Sequence, residues 1–333
     1  MRGHFRNIKM PIIPVFNIQT QLEFEQKALQ VFKFQHKHLA IYKTYCDLLK
    51  VNPHKVFKIS DIPFLPITFF KQQTILANNC VAEKVFTSSG TTSKTTSKHY
   101  VADLTLYKTS FTTAFKQQYG PIEDYTILAL LPSYLESDSS SLVYMVDTLI
   151  TMSQQTKSGF YLNNLEELAK TIKAQELQKK KTLLIGVSYA LLDLIEAHTF
   201  KLEHTIVMET GGMKGRRKEL IKQSLHEKLS KGFGVNTIHS EYGMTELLSQ
   251  AYSKGLGIFK CPPWMKVLTR DTQDPRELVR GRTGGINVID LANQYTCSFI
   301  ATQDLGKVHE DESFEILGRY DTSDVRGCNL MID

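Results

Sequence analysis

Residues 86–98 read Phe-Thr-Ser-Ser-Gly-Thr-Thr-Ser-Lys-Thr-Thr-Ser-Lys. Hydroxyls, one glycine and two lysines are packed into a loop between two apolar runs. Hydroxyl groups, free backbone N–H groups and ammonium groups are the donors that surround a polyphosphate. The stretch is not the common nucleotide P-loop, which needs two glycines followed directly by Lys and Ser/Thr. A flexible polar linker would have the same composition.

Three more segments concentrate groups that could do chemistry. They are Ser240-Glu241-Tyr242-Gly243-Met244-Thr245-Glu246, then Ala301-Thr302-Gln303-Asp304-Leu305-Gly306, then Gly318-Arg319-Tyr320-Asp321 with Asp324-Val325-Arg326-Gly327-Cys328 behind it. All three are read as loops at strand ends, where α/β domains hold ligands.

The elements that must position them follow from periodicity. Residues 22–49 predict one or two amphipathic helices, stopped by Pro53. Residues 61–70 predict an extended segment, 98–102 a strand and 103–118 a helix with Asp103 as N-cap and Gly120 as stop. Strands are predicted at 125–131, 182–187, 204–208 and 236–239, and helices at 139–151, 163–178, 189–198 and 216–228. That alternation predicts an α/β fold with a mainly parallel sheet. Beyond Gly255, short strands at 284–291, 298–301 and 314–317 predict a small β subdomain packed against the main sheet.

Composition bounds the rest. The chain has 333 residues, 42% hydrophobic and 22% charged, which describes an ordinary globular protein. Its formal net charge of +6 is spread along the chain, so nucleic-acid binding is not indicated, and anionic substrates suit it equally. Cys46, Cys80, Cys261, Cys297 and Cys328 are scattered, odd in number and without a CxxC pair. That argues against a disulfide framework or a zinc site, and a reducing cytoplasm is the expected location. The first ten residues are polar and basic with no apolar core behind them, so no secretory signal is expected, and no apolar run predicts a membrane span.

In their order and spacing the four segments resemble the adenylate-forming superfamily of acyl-CoA synthetases and adenylation domains, from about residue 61 to the end. Within it, Leu131-Pro132-Ser133-Tyr134-Leu135-Glu136 with residues 139–145, Gly211-Gly212-Met213-Lys214-Gly215, and Arg326-Gly327-Cys328-Asn329-Leu330 resemble the acyl-protein synthetase of the bacterial-luminescence fatty-acid reductase complex.

The resemblance implies roles. Ser88, Ser89, Gly90, Thr91 and Thr92 would cradle the β- and γ-phosphates of ATP, with Lys94 or Lys98 as the nearby cation. Ser93 departs from the family, which has glycine there. Tyr242, with Gly243 beside it, would stack on adenine, Thr245 would bond the α-phosphate and Glu246 would hold Mg²⁺. An aromatic face suits a flat purine, and a hard carboxylate suits Mg²⁺. Asp304 would accept from both ribose hydroxyls, Arg319 would read ribose or phosphate, and Asp321 would be the hinge. The alternatives are a strand-end turn with a buried tyrosine, a turn aspartate and a surface cation. Cys328 would be the acyl acceptor, or else an inert core cysteine. Relatives carry a further domain whose lysine completes adenylation, and no residue here is assigned to it.

His239 is read as a core histidine with a lining of the acyl pocket as alternative, and His99 as structural. Arg216 and Arg217 are read either as nucleotide contacts or as solvated cations. The implied domains are a catalytic domain over 1–317, with a helical segment at about 20–50 and the β subdomain at about 255–317, then a hinge and tail over 318–333. The implied activity is ATP-dependent, Mg²⁺-dependent activation of a fatty acid or other carboxylate, then transfer to a thiol, with an acyl reductase and a thioesterase as partner proteins. Two rivals stand beside it. One is a ligase of the phenylacetate-CoA ligase type, with CoA or a carrier protein as acceptor. The other is a non-catalytic nucleotide-binding or assembly protein.

Overall fold

Capped helices alternating with short buried strands build the first half of the protein. The structure, a computed structural model, describes residues 12–88, 96–132, 138–211, 217 and 220–319. Two helices, α1 (Gln21–His38) and α2 (Ala40–Leu48), open it. Thr20 and Glu23 close α1 with a reciprocal capping box. Next come β1 (Leu65–Pro66), the one-turn α3 (Phe69–Gln72), and a hairpin of β2 (Lys84–Thr87) and β3 (Lys98–Val101) that carries the hydroxyl loop.

The predicted alternation follows: α4 (Leu104–Tyr119), β4 (Thr126–Leu130), α5 (Ser141–Ser153), β5 (Gly159–Phe160), α6 (Leu165–Leu177), β6 (Thr182–Val187), α7 (Ser188–Ala197), β7 (Thr205–Thr210), α8 (Lys222–Phe233) and β8 (His239–Tyr242). Asp103 caps α4 by accepting from the Thr105 N–H, and Gly120 ends it with φ of 90°. Every residue of β4 and β6 is buried, as a strand covered on both faces requires.

The second half is antiparallel: β9 (Ala251–Ser253), β10 (Ile258–Lys260), β11 (Met265–Arg270), β12 (Leu278–Val279), β13 (Gly284–Asp290), β14 (Phe299–Val308) and β15 (Phe314–Arg319). It joins the parallel half through the β8–β9 pair in one 13-stranded sheet. The order is β12-β11-β13-β14-β15-β10-β9-β8-β7-β6-β4-β5, with β1 added beside β14. A single apolar cluster runs from Val15 to Phe314.

Several boundaries differ from the sequence expectation. Tyr242 ends a strand rather than following one, because β8 is defined by pairing with β7 (Met208↔His239) and β9 (Tyr242↔Ala251). Asp304 and Arg319 are not in loops. They face each other across β14 and β15, whose ladder extends well beyond the apolar residues that marked it. The predicted 216–228 helix is α8, shifted to Lys222–Phe233 and stopped by Gly234 at φ of 66°. Of the 61–70 segment only Leu65–Pro66 is strand.

Candidate active site

Four strands deliver the site. The β8 strand places Tyr242 at the end of the parallel half, and its phenol donates to Asp304 Oδ2 at 2.8 Å. Asp304 Oδ1 meets Arg319 Nε at 3.3 Å from β15. The Tyr242 ring packs against Phe259 and Phe314, with centroids 5.8 and 5.5 Å away. Burial pushes the Asp304 carboxyl above the usual range, against the pull of Arg319 and the Tyr242 hydrogen bond. The phenol is held well above its ordinary value, first by burial and then by the neighbouring carboxylate, so it remains a donor.

Glu246 is buried beside this group. Burial raises its carboxyl, while the Ser97 hydroxyl, a backbone N–H, Arg319 and Lys71 act in the opposite direction. Arg319 thus contacts Asp304 directly and acts on Glu246 only through its charge. Gly243 is required by close approach: a Cβ there would lie 2.5 Å from Glu241 Oε1. Glu241 is itself fixed, accepting from Thr210 Oγ1 at 2.6 Å.

The hairpin neck is also defined. Ser88 N donates to Ser97 O at 3.1 Å, and Ser97 N donates to Ser88 Oγ at 3.0 Å. Beyond it, Lys98 and Thr96 line a cleft of about 350 Å³ with Phe70, Lys71 and Tyr100. Lys71 comes from α3 and no motif singled it out. Its only sequence signal was its place just before the hydroxyl loop. A second hollow of about 280 Å³, between residues 18–24 and 260–267, is lined by none of the predicted site residues.

The structure thus brings together Tyr242, Gly243, Thr245, Glu246, Asp304 and Arg319, with Ser88 and Lys98 on the neighbouring hairpin. Ser89, Gly90, Thr91, Thr92, Lys94, Asp321 and Cys328 lie outside the described residues, as does Arg216. Arg217 binds Asp193 and, at 2.7 Å, Glu196, which favours a role in holding α7 over a nucleotide contact. His239 takes its place beside Tyr119, Nδ1 to Oη at 3.2 Å, and burial pushes it down to about 4, so it is neutral.

No group of three or more His, Cys, Asp or Glu able to hold a metal ion occurs among the described residues. A single buried carboxylate is nevertheless what Mg²⁺ needs when phosphates and water supply its other ligands. No helix among the described residues is long and apolar enough to cross a membrane.

Over residues 15–333 the sequence matches the family described as "Acyl-protein synthetase, LuxE". The chain belongs to the LuxE acyl-protein synthetase family. Membership makes it an acyl-activating ligase of the AMP-forming class. A relative in Vibrio harveyi, a long-chain-fatty-acid–luciferin-component ligase, is 24% identical over 341 residues, covering 95% of this chain and 89% of that one. Among solved structures, a 2-hydroxyisobutyryl-CoA ligase in its postadenylation state superposes with a TM-score of 0.65 at 10% identity, covering 95% of this chain and 75% of that one. ATP-bound MatB from Rhodopseudomonas palustris gives 0.54 at 18% identity over 71% of this chain, which spans only 47% of MatB. At such identity these two structures show the shared fold alone. The family is thus carried by sequence and the fold by both comparisons.

Proposed function

We propose that the group of residues supplied by β8, β14, β15 and the neck of the β2–β3 hairpin binds MgATP and adenylates a long-chain fatty acid, whose acyl group then passes to Cys328. The observation that carries this is the meeting of Tyr242, at the end of β8 and four residues before Glu246, with Asp304, 62 residues later in β14, and with Arg319 from the paired β15. The V. harveyi relative's name supports a long-chain fatty acid as the substrate.

In the first step a carboxylate oxygen attacks the α-phosphorus, the bond to the bridging oxygen breaks, and pyrophosphate leaves. Asp304 is placed to accept from the ribose diol, since an ionised carboxylate has acceptor capacity beyond its bonds to Tyr242 and Arg319. The Tyr242 ring supplies the apolar face for the base. Lys71, Lys98 and the hydroxyl loop supply donors for the leaving pyrophosphate. Mg²⁺, when bound, neutralises phosphate charge, and Glu246 is the residue that would hold it. In the second step a thiolate attacks the acyl carbon, the C–O bond of the mixed anhydride breaks, and AMP departs.

The described cysteines do not compete for that role. Burial pushes the Cys46 and Cys261 thiols up to about 12 and raises Cys80 and Cys297 as well. A thiol needs the opposite shift to react at neutral pH. Reduced cysteines also suit a cytoplasmic location, with an acyl reductase as the partner that consumes the thioester and a thioesterase as the one that supplies the acid.

The test is intact mass after incubation with MgATP and a mixed pool of straight-chain fatty acids, on wild type and Cys328→Ser. An ATP-dependent acyl addition that disappears in the variant supports the proposal. Pyrophosphate release without any addition would mean that the acyl group leaves on another acceptor.

A further inference from the structure

Ser97 and His99 stand two residues apart at the exit of the hydroxyl loop, so their side chains share one face. Both reach the segment that carries Thr245 and Glu246. Ser97 lies close enough to the Glu246 carboxyl to favour its charged form, and His99 Nδ1 lies 2.7 Å from the Thr245 carbonyl oxygen. A carbonyl only accepts, so Nδ1 must carry the proton.

The other ring nitrogen is also engaged. With the proton on Nδ1, Nε2 accepts from the Thr296 hydroxyl at 2.9 Å, while its 3.0 Å approach to Asn293 Oδ1, another acceptor, is a packing contact and not a hydrogen bond. Asn293 in turn donates from Nδ2 to the Glu246 carbonyl at 2.8 Å and to the Cys297 carbonyl at 2.9 Å. Two consecutive carbonyls, those of Thr245 and Glu246, are therefore held by two side chains that touch each other. The imidazole is wholly buried and packs edge-on to Phe70 at 5.8 Å, in the turn of helix that presents Lys71. Burial pushes it down to about 4, so the ring is neutral and its tautomer is set by these bonds.

We infer that His99 is a positioning residue for adenylation, locking the Thr245–Glu246 backbone to the strand that leaves the hydroxyl loop. It touches neither substrate nor metal. Its Nδ1 donor fixes the height of Thr245 and Glu246 relative to that strand, and Asn293 completes the brace. The inference rests on the proposed adenylation for its consequence, but its geometry stands without it.

Asparagine and glutamine separate the two ring nitrogens. His99→Asn can keep a donor near the Nδ1 position and loses the Nε2 contacts, whereas His99→Gln does the reverse. Pyrophosphate release with MgATP and a mixed pool of straight-chain fatty acids, thermal midpoints, and amide hydrogen exchange of residues 243–248 are measured for both, beside wild type and His99→Ala. Both amide variants should lose thermal stability alike. His99→Asn should keep kcat close to wild type, while His99→Gln and His99→Ala lose on the order of 10²-fold, mostly in kcat. Exchange at 243–248 should quicken in the Gln and Ala variants only. Equal losses in Asn and Gln that track their midpoints, or equal exchange, would overturn the inference. If wild type itself releases no pyrophosphate, the proposed function fails, and the exchange comparison still decides the brace.

Discussion

The Tyr242 phenol and the Asp304 carboxylate are joined at 2.8 Å across 62 residues of chain, one at the end of β8 and the other inside β14. This bond closes the sheet between its parallel and antiparallel halves at the place where the candidate site lies. It also means that Asp304 meets any ribose with its two oxygens already pointed by Tyr242 and Arg319.

Asp304→Asn and Tyr242→Phe should therefore separate. The first removes a charged acceptor, and hydrogen bonds to charged groups contribute about 1.5–3 kcal/mol, so KM for ATP should rise about 10- to 100-fold. The second keeps the ring packed on Phe259 and Phe314 and should chiefly lower stability, by about 1 kcal/mol. Initial rates against ATP concentration and a denaturant titration of each variant provide the check. An unchanged KM in Asp304→Asn would remove Asp304 from the nucleotide site.

Glu246→Gln offers a contrast between activity and stability. Burial disfavours the ionised carboxylate, whereas the neutral amide can still accept from Ser97. The variant should be at least as thermally stable as wild type, yet lose pyrophosphate release by on the order of 10²-fold, with a higher Mg²⁺ requirement. A variant that is active at ordinary Mg²⁺ would show that Glu246 is only a packed acid.

The pH dependence of stability should report Glu241. Burial, with Glu209 adding to it, raises this carboxyl to about 7 against the Thr210 hydrogen bond. An unfolded glutamate titrates near 4.3. The folded state then binds the extra proton between those values, so the contribution is greatest at low pH and is lost as pH rises through about 7. Glu241→Gln lacks that loss. Its stability relative to wild type should grow by about 3 kcal/mol between pH 4 and pH 8, read from urea titrations. A pH-independent difference would refute the assignment.

Much of the helical framework was legible because its signals are local. Asp103 and Gly120 bracket α4 as their types require, and Asn164 caps α6 by accepting from the Glu167 N–H. The 182–187 run of apolar residues is β6 to the residue. Strand ends were harder, since a strand stops where its partner stops. Asp304 and Tyr242 read as loop residues, yet pairing with Arg319 of β15 keeps the first in a strand and pairing with Ala251 of β9 keeps the second.

By itself the amino-acid sequence determined which chemical groups were available and the family to which they belong. The hydroxyl loop, the Tyr242–Glu246 segment, Asp304 and Arg319 are each a short pattern whose residue types answer to a nucleotide. Tertiary structure alone decided what surrounds them. Lys71, His99 and Asn293 carry no motif, because their contacts join segments distant in the chain, as His99 to Thr245 does across 146 residues. Such contacts depend on sheet register and burial. The same buried surroundings also set the protonation of Glu241, Glu246 and His99, since a charge loses its hydration only when the folded chain closes over it.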